Sequence, residues 1–104
     1  MITTYNTVMM KPQDNVAVAL SNIAAGALVH VVCQDKTFEI VLKDAIEFGH
    51  KFAVVPIKKG EDVLKYGEVI GVASQEIAAG DHVHVHNVEG KRGRGDKVEY
   101  TKLP

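Results

Sequence analysis

The residues best suited to chemistry lie in one short segment near the end of the chain, Asp81-His82-Val83-His84-Val85-His86-Asn87. Alternate side chains of a β-strand share a face, so this spacing predicts three imidazoles in a row, with the two valines turned inward. Two imidazoles at positions i and i+2 can reach one divalent ion, and Asn87 could add an oxygen ligand. The same pattern also fits the polar face of an ordinary edge strand, because no spaced cysteines or glutamates complete a metal site.

Two other short segments combine a cation with a hydrogen-bonding side chain. Gly49-His50-Lys51 stands at the entrance of an apolar run, where His50 could act as a general base and Lys51 could neutralise charge. In Lys65-Tyr66-Gly67 the phenol could hydrogen-bond an oxygen-rich ligand. Alternatively, His50 and Lys51 are ordinary surface residues and Tyr66 packs its ring against the core.

Short β-strands must position these residues, because Val and Ile recur with a period of two in several runs. The predicted strands cover residues 7–10, 16–20, 27–33, 37–42, 51–55, 69–73 and 82–88. At most one or two short helical turns are expected, and residues 61–66 are the candidate. The chain is therefore predicted to be mainly β.

A weak repeat, Ile-x-x-Gly, occurs at residues 23–26, 57–60 and 77–80. The separations between the three copies are unequal, which excludes a regular solenoid. Each glycine is predicted to take a positive φ in a tight turn, with the isoleucine entering the core just before it. These segments are therefore expected to be corners of a folded-over β structure.

The length and charge of the chain limit its function. With 104 residues, 46% of them hydrophobic, it suits one folded domain that leaves little volume for an enclosed pocket, so a second chain is expected to complete an active site. Lys plus Arg total 12 and Asp plus Glu total 13, a formal charge of −1. A nearly neutral chain argues against nucleic acid or an anionic membrane as the partner.

The single cysteine and the apolar runs indicate the compartment. Cys33 cannot form an intrachain disulfide, and its apolar neighbours predict a buried structural thiol. The N-terminus lacks the features of a secretory signal, and no apolar run approaches the roughly 18 residues of a membrane helix. We expect a cytoplasmic protein.

The composition changes near residue 88. Residues 1–88 are predicted to form the β domain, and residues 89–104 a Gly-rich, locally basic tail. Such a tail is expected to be flexible and solvated, or to serve as an arm that docks on a partner.

Three ordered motifs carry a family resemblance when they are taken together. They are Gly49-His50-Lys51-Phe52-Ala53, then Ile57-x-x-Gly60-Glu61-x-Val63-x-Lys65-Tyr66-Gly67-x-x-Ile70-Gly71, then Ile77-Ala78-Ala79-Gly80-x-His82-Val83-His84-Val85-His86-Asn87. In this order the motifs resemble the N-terminal domain, or separate small subunit, of the altronate dehydratase family, which includes galactarate dehydratase and sulfolactate sulfo-lyase. The resemblance covers residues 12–96.

The resemblance implies a fold and an activity. The fold would be an SAF domain of the β-clip type, with short strands and folded-over hairpins. The activity would be that of a hydro-lyase component that eliminates water from a sugar acid such as altronate or galactarate, inactive without a large catalytic subunit. A divalent metal, with iron among the candidates, would be shared with or held by that subunit. The resemblance leaves open whether the chain also forms homo-oligomers.

The resemblance also assigns roles to residues of this chain. His84 and His86 would face the metal, while His50, Lys51, Lys65 and Tyr66 would border the acid-binding cleft as catalytic residues. Lys51, Lys65, Tyr66 and Asn87 would contact the substrate. Removing a proton next to a carboxylate produces an enediolate that a metal or cations must stabilise, and the leaving group then needs an acid.

Two alternatives to a hydro-lyase remain. The first is the small subunit of a sulfolactate sulfo-lyase, because no residue of this chain decides between water and sulfite as the leaving group. The second is a non-catalytic SAF module that binds a ligand or a protein, since a fold does not determine a function.

Overall fold

A computed structural model describes residues 6–90, and within this range the chain forms nine β-strands and no helix. The strands are β1 (Thr7–Val8), β2 (Val16–Ala19), β3 (Leu28–Cys33), β4 (Lys36–Val41), β5 (Lys51–Ala53), β6 (Asp62–Lys65), β7 (Glu68–Ala73), β8 (His82–Val83) and β9 (Val88–Glu89). The mainly β prediction is confirmed. Residues 6–90 contain no helix with the length and apolar character needed to cross a membrane.

The strands form three antiparallel sheets. A four-stranded sheet has the order β1-β2-β5-β8, β3 and β4 form a two-stranded hairpin, and a three-stranded sheet has the order β6-β7-β9. Every strand pairing among the described residues is antiparallel. This arrangement of small sheets and long hairpins agrees with the β-clip fold expected from the family resemblance.

The four-stranded sheet is the middle layer and has a core on each face. Ala17 and Phe52 belong to one cluster, with Val29 and Val31 of the β3–β4 hairpin. Val16 and Ala53 belong to a second cluster, with Val63 of β6 and Ala73 of β7. Because β2 is covered on both faces, all four of its residues are apolar and buried. Cys33 lies buried in the first cluster, as predicted for a structural thiol.

The Ile-x-x-Gly segments are corners that lead the chain into and out of the two long hairpins. Isolated β-bridges join Ile23 to Ile46 and Ile57 to Ile77, so each corner is paired with another through its isoleucine. The corner at residues 46–49 is a fourth copy that the repeat analysis missed. In the first pair, the amide of Gly26 donates to the Leu42 carbonyl at 2.7 Å.

Two local predictions were wrong. Residues 61–66, the candidate helical turn, instead contain β6, because Val63 is buried in the second core and β6 pairs with β7 across a tight turn. Residues 82–88, expected to be one strand, form β8 and β9 with a turn between them.

The expected domain boundary at residue 88 falls inside β9, and residues 91–104 of the predicted tail lie outside the described range.

A matched pair of glycine substitutions tests the corner packing. Gly26 and Gly80 have φ values of 89° and 94°, so Gly→Ala at either position introduces backbone strain of about 1 to 2 kcal/mol. A Cβ at Gly26 meets open space, whereas a Cβ at Gly80 would overlap the carbonyl oxygen of Val41. We expect Gly80→Ala to lower the free energy of unfolding by about 1 to 3 kcal/mol more than Gly26→Ala, measured by urea denaturation. Equal losses would contradict this packing.

Candidate functional site

Three histidines from two neighbouring strands meet at one end of the four-stranded sheet. His50 immediately precedes β5, His82 begins β8, and His84 follows β8. One ring nitrogen from each of the three lies within 4.8 Å of the other two. The closest pair is His50 Nδ1 and His82 Nε2, 3.0 Å apart, and the three ring centroids are separated by 4.9 to 5.4 Å. We call these three residues the histidine cluster.

Strand pairing explains why these residues meet. Lys51 pairs with Val83 and Phe52 pairs with His82 in the antiparallel β5–β8 ladder. Directly opposite residues of such a ladder project to the same face, so the His82 ring lies on the face of Phe52. His50 and His84 extend the same two strands by one residue each, which brings their rings against His82.

A tight turn follows β8, and the buried side chain of Asn87 holds it. Asn87 is 2% exposed. Its Oδ1 accepts a hydrogen bond from the His84 amide and its Nδ2 donates to the His82 carbonyl, both at 2.9 Å. Short polar side chains that bond to nearby backbone compete with regular strand pairing, which is why the expected strand ends at Val83.

This turn bears on three expectations about the segment, of which the inward placement of Val85 was wrong. The valine predicted to point inward, Val85, is 80% exposed. His86 packs against His82 with ring centroids 5.6 Å apart, and the set of converging nitrogens consists of His50, His82 and His84, so the metal pair of His84 and His86 stays a prediction. Both polar atoms of the Asn87 side chain are bonded to the backbone of the turn, and its expected contact with substrate stays a prediction.

The electrostatics of the histidine cluster favour the neutral form of His82. Partial burial lowers the pKa of His82, and the neighbouring His50, His84 and His86 lower it further, while Asp44 acts in the opposite direction. The Asp44 carboxylate also accepts a hydrogen bond from the His82 amide at 3.0 Å. A Glu47 oxygen lies 3.8 Å from His50 Nε2. Neutral imidazoles are the form that binds metals.

Lys51, Lys65 and Tyr66 form a second group on the other face of the β5–β8 ladder. Lys51 shares the face of Val83, opposite to the face of His82. Burial and the Lys65 ammonium lower the pKa of Lys51. The Lys65 Nζ lies 5.1 Å from the centroid of the Tyr66 ring, within cation–π range. The residues expected to border one cleft are therefore divided between two faces.

Asp14 and Asn15 position the second group and were missed by the sequence analysis. The buried Asp14 carboxylate accepts hydrogen bonds from the amides of Tyr66 at 2.9 Å and Gly67 at 2.7 Å. These bonds hold Tyr66 at a φ of 57°, an unfavourable region for an aromatic residue. Asn15 bonds the backbone of β6 at Asp62 and Leu64. The only local feature of the sequence that could have indicated their role is that two short polar residues precede an apolar run.

The histidine cluster has the donor set of a transition-metal site. Imidazole suits Zn, Fe and Ni, and two nitrogens bound to one ion at about 2.1 Å lie about 3.0 to 3.4 Å apart. The 3.0 Å separation of His50 Nδ1 and His82 Nε2 falls in that range. One of these two nitrogens donates a hydrogen bond to the other, and an ion bound between them would replace the shared proton.

The lowered pKa of His82 predicts a pH dependence of stability. The unfolded chain, where the pKa is about 6.5, takes up a proton before the folded chain does, so stability falls as the pH drops below that value. We expect the melting temperature to decrease between about pH 7.5 and 5.5, and to decrease less in His82→Gln. His30→Gln, at an exposed histidine of β3, is the control and should behave like the wild type. Identical profiles for all three proteins would contradict the assignment.

Comparisons with known proteins agree with the family resemblance. The chain is 46% identical to altronate dehydratase of Escherichia coli (strain K12) over 87 residues, which cover 84% of this chain and 17% of that protein. It is 43% identical to (2R)-sulfolactate sulfo-lyase subunit alpha of Chromohalobacter salexigens over 77 residues, 72% of this chain and 82% of that subunit. The corresponding subunit of Paracoccus pantotrophus is 39% identical over 62 residues, which cover 60% of this chain and 92% of that subunit.

The chain therefore spans about a sixth of the altronate dehydratase and most of each sulfo-lyase subunit. The family model of the altronate/galactarate dehydratase SAF domain matches residues 5–91, which include both hairpins, all four corners and the histidine cluster. The chain belongs to the altronate/galactarate dehydratase SAF domain family.

Proposed function

We propose that this chain is the small component of a lyase that eliminates water from a sugar acid such as altronate or galactarate, and that it works with a larger catalytic polypeptide. The observation that carries this proposal is the convergence of three imidazole nitrogens within 4.8 Å in a domain of the altronate/galactarate dehydratase family. A β-clip needs the Ile-x-x-Gly corners to fold, but it does not need this group of histidines.

The need for a larger polypeptide is supported by the lengths of the relatives. The match covers only 17% of the altronate dehydratase of Escherichia coli, so most of that protein lies outside the shared domain. It covers 82% of a protein named subunit alpha of a sulfo-lyase, a name that implies a further subunit. The larger polypeptide would hold much of the substrate, because a domain of this size encloses little volume.

We also propose that the histidine cluster holds a divalent metal, with iron among the candidates. His50, His82 and His84 would supply imidazole ligands, and the larger polypeptide would share the ion or hold it. A bound metal would supply Lewis-acid stabilisation of the negative charge that develops when a proton is removed beside a carboxylate.

The other polar residues of this chain would bind and orient the acid. Lys65 and Tyr66 would bind a carboxylate, one through its ammonium and the other through its phenol. The lowered pKa of Lys51 brings its amine closer to the range in which it accepts a proton, which would suit it as a base for an acid bound on that face. Because the two groups face opposite sides of the ladder, one acid molecule does not contact both, and we place the elimination at the histidine cluster, where His50, His82 and His84 would hold the ion.

Metal titration of the purified chain tests the ligand set. Ni²⁺ is a suitable probe because it prefers imidazole ligands, and binding is measured by isothermal titration calorimetry. We expect His82→Ala to weaken Ni²⁺ binding by about tenfold or more, as is typical when a ligand is lost. His86→Ala is the matched control, because its ring lies outside the converging set, and it should bind within about twofold of the wild type. Equal weakening by both substitutions would contradict the assignment.

Reconstitution tests the activity itself. The chain is combined with a larger dehydratase-like polypeptide, and loss of altronate or galactarate is followed. We expect no turnover by the chain alone, turnover by the pair, and a fall in kcat of about a hundredfold for His50→Ala combined with His84→Ala. His30→Ala serves as the control. Unchanged activity of the double variant would favour a non-catalytic binding module.

The same reconstitution assay distinguishes the hydro-lyase from the second candidate function, a sulfo-lyase. The extensive coverage of the sulfo-lyase alpha subunits, 82% and 92% of their lengths, favours elimination of sulfite from sulfolactate as the alternative. Sulfite release from sulfolactate, with no turnover of either sugar acid, would replace the hydro-lyase proposal with the sulfo-lyase one.

A further inference from the structure

Exposed apolar residues lie at the same strand ends as the histidine cluster. At this end of the four-stranded sheet, Leu20 follows β2, Phe48 precedes β5 by three residues, and Val85 follows β8. These side chains are 43%, 66% and 80% exposed, respectively. We call Leu20, Phe48 and Val85, together with His84 and His86, the histidine end.

The backbone fixes these apolar residues in place. The Phe48 amide donates to Asn22 Oδ1 at 2.8 Å, and the Ile23–Ile46 bridge holds the corner that contains Phe48. Val85 lies in the turn held by Asn87. The Leu20 amide donates to the carbonyl of Asn6, the residue before β1, at 2.9 Å. Large exposed apolar side chains on an ordered backbone, beside polar groups, are characteristic of protein interaction sites.

The local charge and the lengths of the relatives identify the kind of partner. Asp44 and Glu47 place carboxylates beside the histidines, which disfavours a phosphate-rich partner such as nucleic acid or an anionic membrane. In the altronate dehydratase of Escherichia coli, the matched segment is 17% of a longer protein, so a large polypeptide accompanies this domain there. A catalytic polypeptide that presents an acid to the imidazoles must approach from the side on which they are accessible.

We propose that the histidine end is the docking surface for the larger catalytic polypeptide, with Phe48 and Val85 as its apolar anchors. This inference rests on the proposed function, because it takes that polypeptide as the partner. The outer face of the β3–β4 hairpin is then a free surface, although it also exposes apolar residues, Leu28, Val32 and Val41. His30, which is on that face, serves as an internal reference.

Chemical labelling tests the docking surface on the unaltered protein. Histidines are modified with diethyl pyrocarbonate in the isolated chain and in its complex with the larger polypeptide, and each site is quantified by mass spectrometry. We expect labelling of His86 to fall at least fivefold in the complex, while labelling of His30 changes less than twofold. His86 is the diagnostic residue because it lies outside the converging nitrogens, so a bound metal does not account for its protection. Protection of His30 instead of His86 would overturn the proposal.

Substitution of the apolar anchors gives an independent measurement. Phe48→Ser combined with Val85→Ser is compared with Val32→Ser combined with Val41→Ser, which alters the β3–β4 face to a similar extent. Both pairs are exposed, so the melting temperature of the isolated chain should stay close to that of the wild type. We expect the first pair to weaken association at least tenfold, measured by biolayer interferometry, and the second pair less than twofold. The reverse order, or no difference, would overturn the proposal.

The outcomes separate this inference from the proposed function. If the wild-type pair associates through the histidine end but turns over neither a sugar acid nor sulfolactate, the docking proposal stands and the proposed function is contradicted. If the pair is active but its affinity is unchanged by Phe48→Ser combined with Val85→Ser, the docking proposal is contradicted and the proposed function stands. Failure of the wild-type chains to associate would overturn the docking proposal. Protection of His86 that appears on concentrating the isolated chain would assign the surface to a second copy of this chain.

Discussion

The four-stranded sheet has a hydrophobic core on each face, and the rest of the fold depends on this double coverage. β2 and β5 send alternate residues into the two cores, so neighbours such as Phe52 and Ala53 belong to different clusters. Each core is closed by one long hairpin, and the paired corners return the chain to the sheet after each hairpin. With no helix among the described residues, burial of Val, Ile and Ala between these three layers supplies most of the packing.

The same layering determines where polar chemistry can occur. Both faces of the sheet are filled by apolar side chains, so polar groups accumulate where strands end. His50 lies before β5 and His84 after β8, and antiparallel pairing brings these strand ends together. The alternation that separates the two cores also sends Lys51 and His82 to opposite faces. The domain therefore presents the histidine cluster and the second group, Lys51, Lys65 and Tyr66, at its surface and leaves little interior space between them.

Two small buried polar side chains shape the surfaces that carry the functional residues. Asn87 satisfies backbone groups of the turn after β8, and Asp14 satisfies the amides of the turn between β6 and β7. In each case the bonded turn would otherwise leave backbone groups without partners in a partly buried environment, which is costly. The exposed positions of Val85 and Tyr66 follow from these bonds and not from the hydrophobicity of those residues.

The sequence by itself determined the local structure: most strands follow from period-two patterns, the corners from Ile-x-x-Gly, and the three motifs indicated the family. Local patterns also misled, because alternating His and Val residues predicted a strand where the Asn87 side chain produces a turn. Only the tertiary structure decided which distant residues meet at the two groups, since His50 and His82 are 32 positions apart and Asp14 and Gly67 are 53 apart. A repeating pattern specifies which residues share a face of one strand. It does not specify which strand lies beside it or in what register, and these depend on burial of apolar surface throughout the domain.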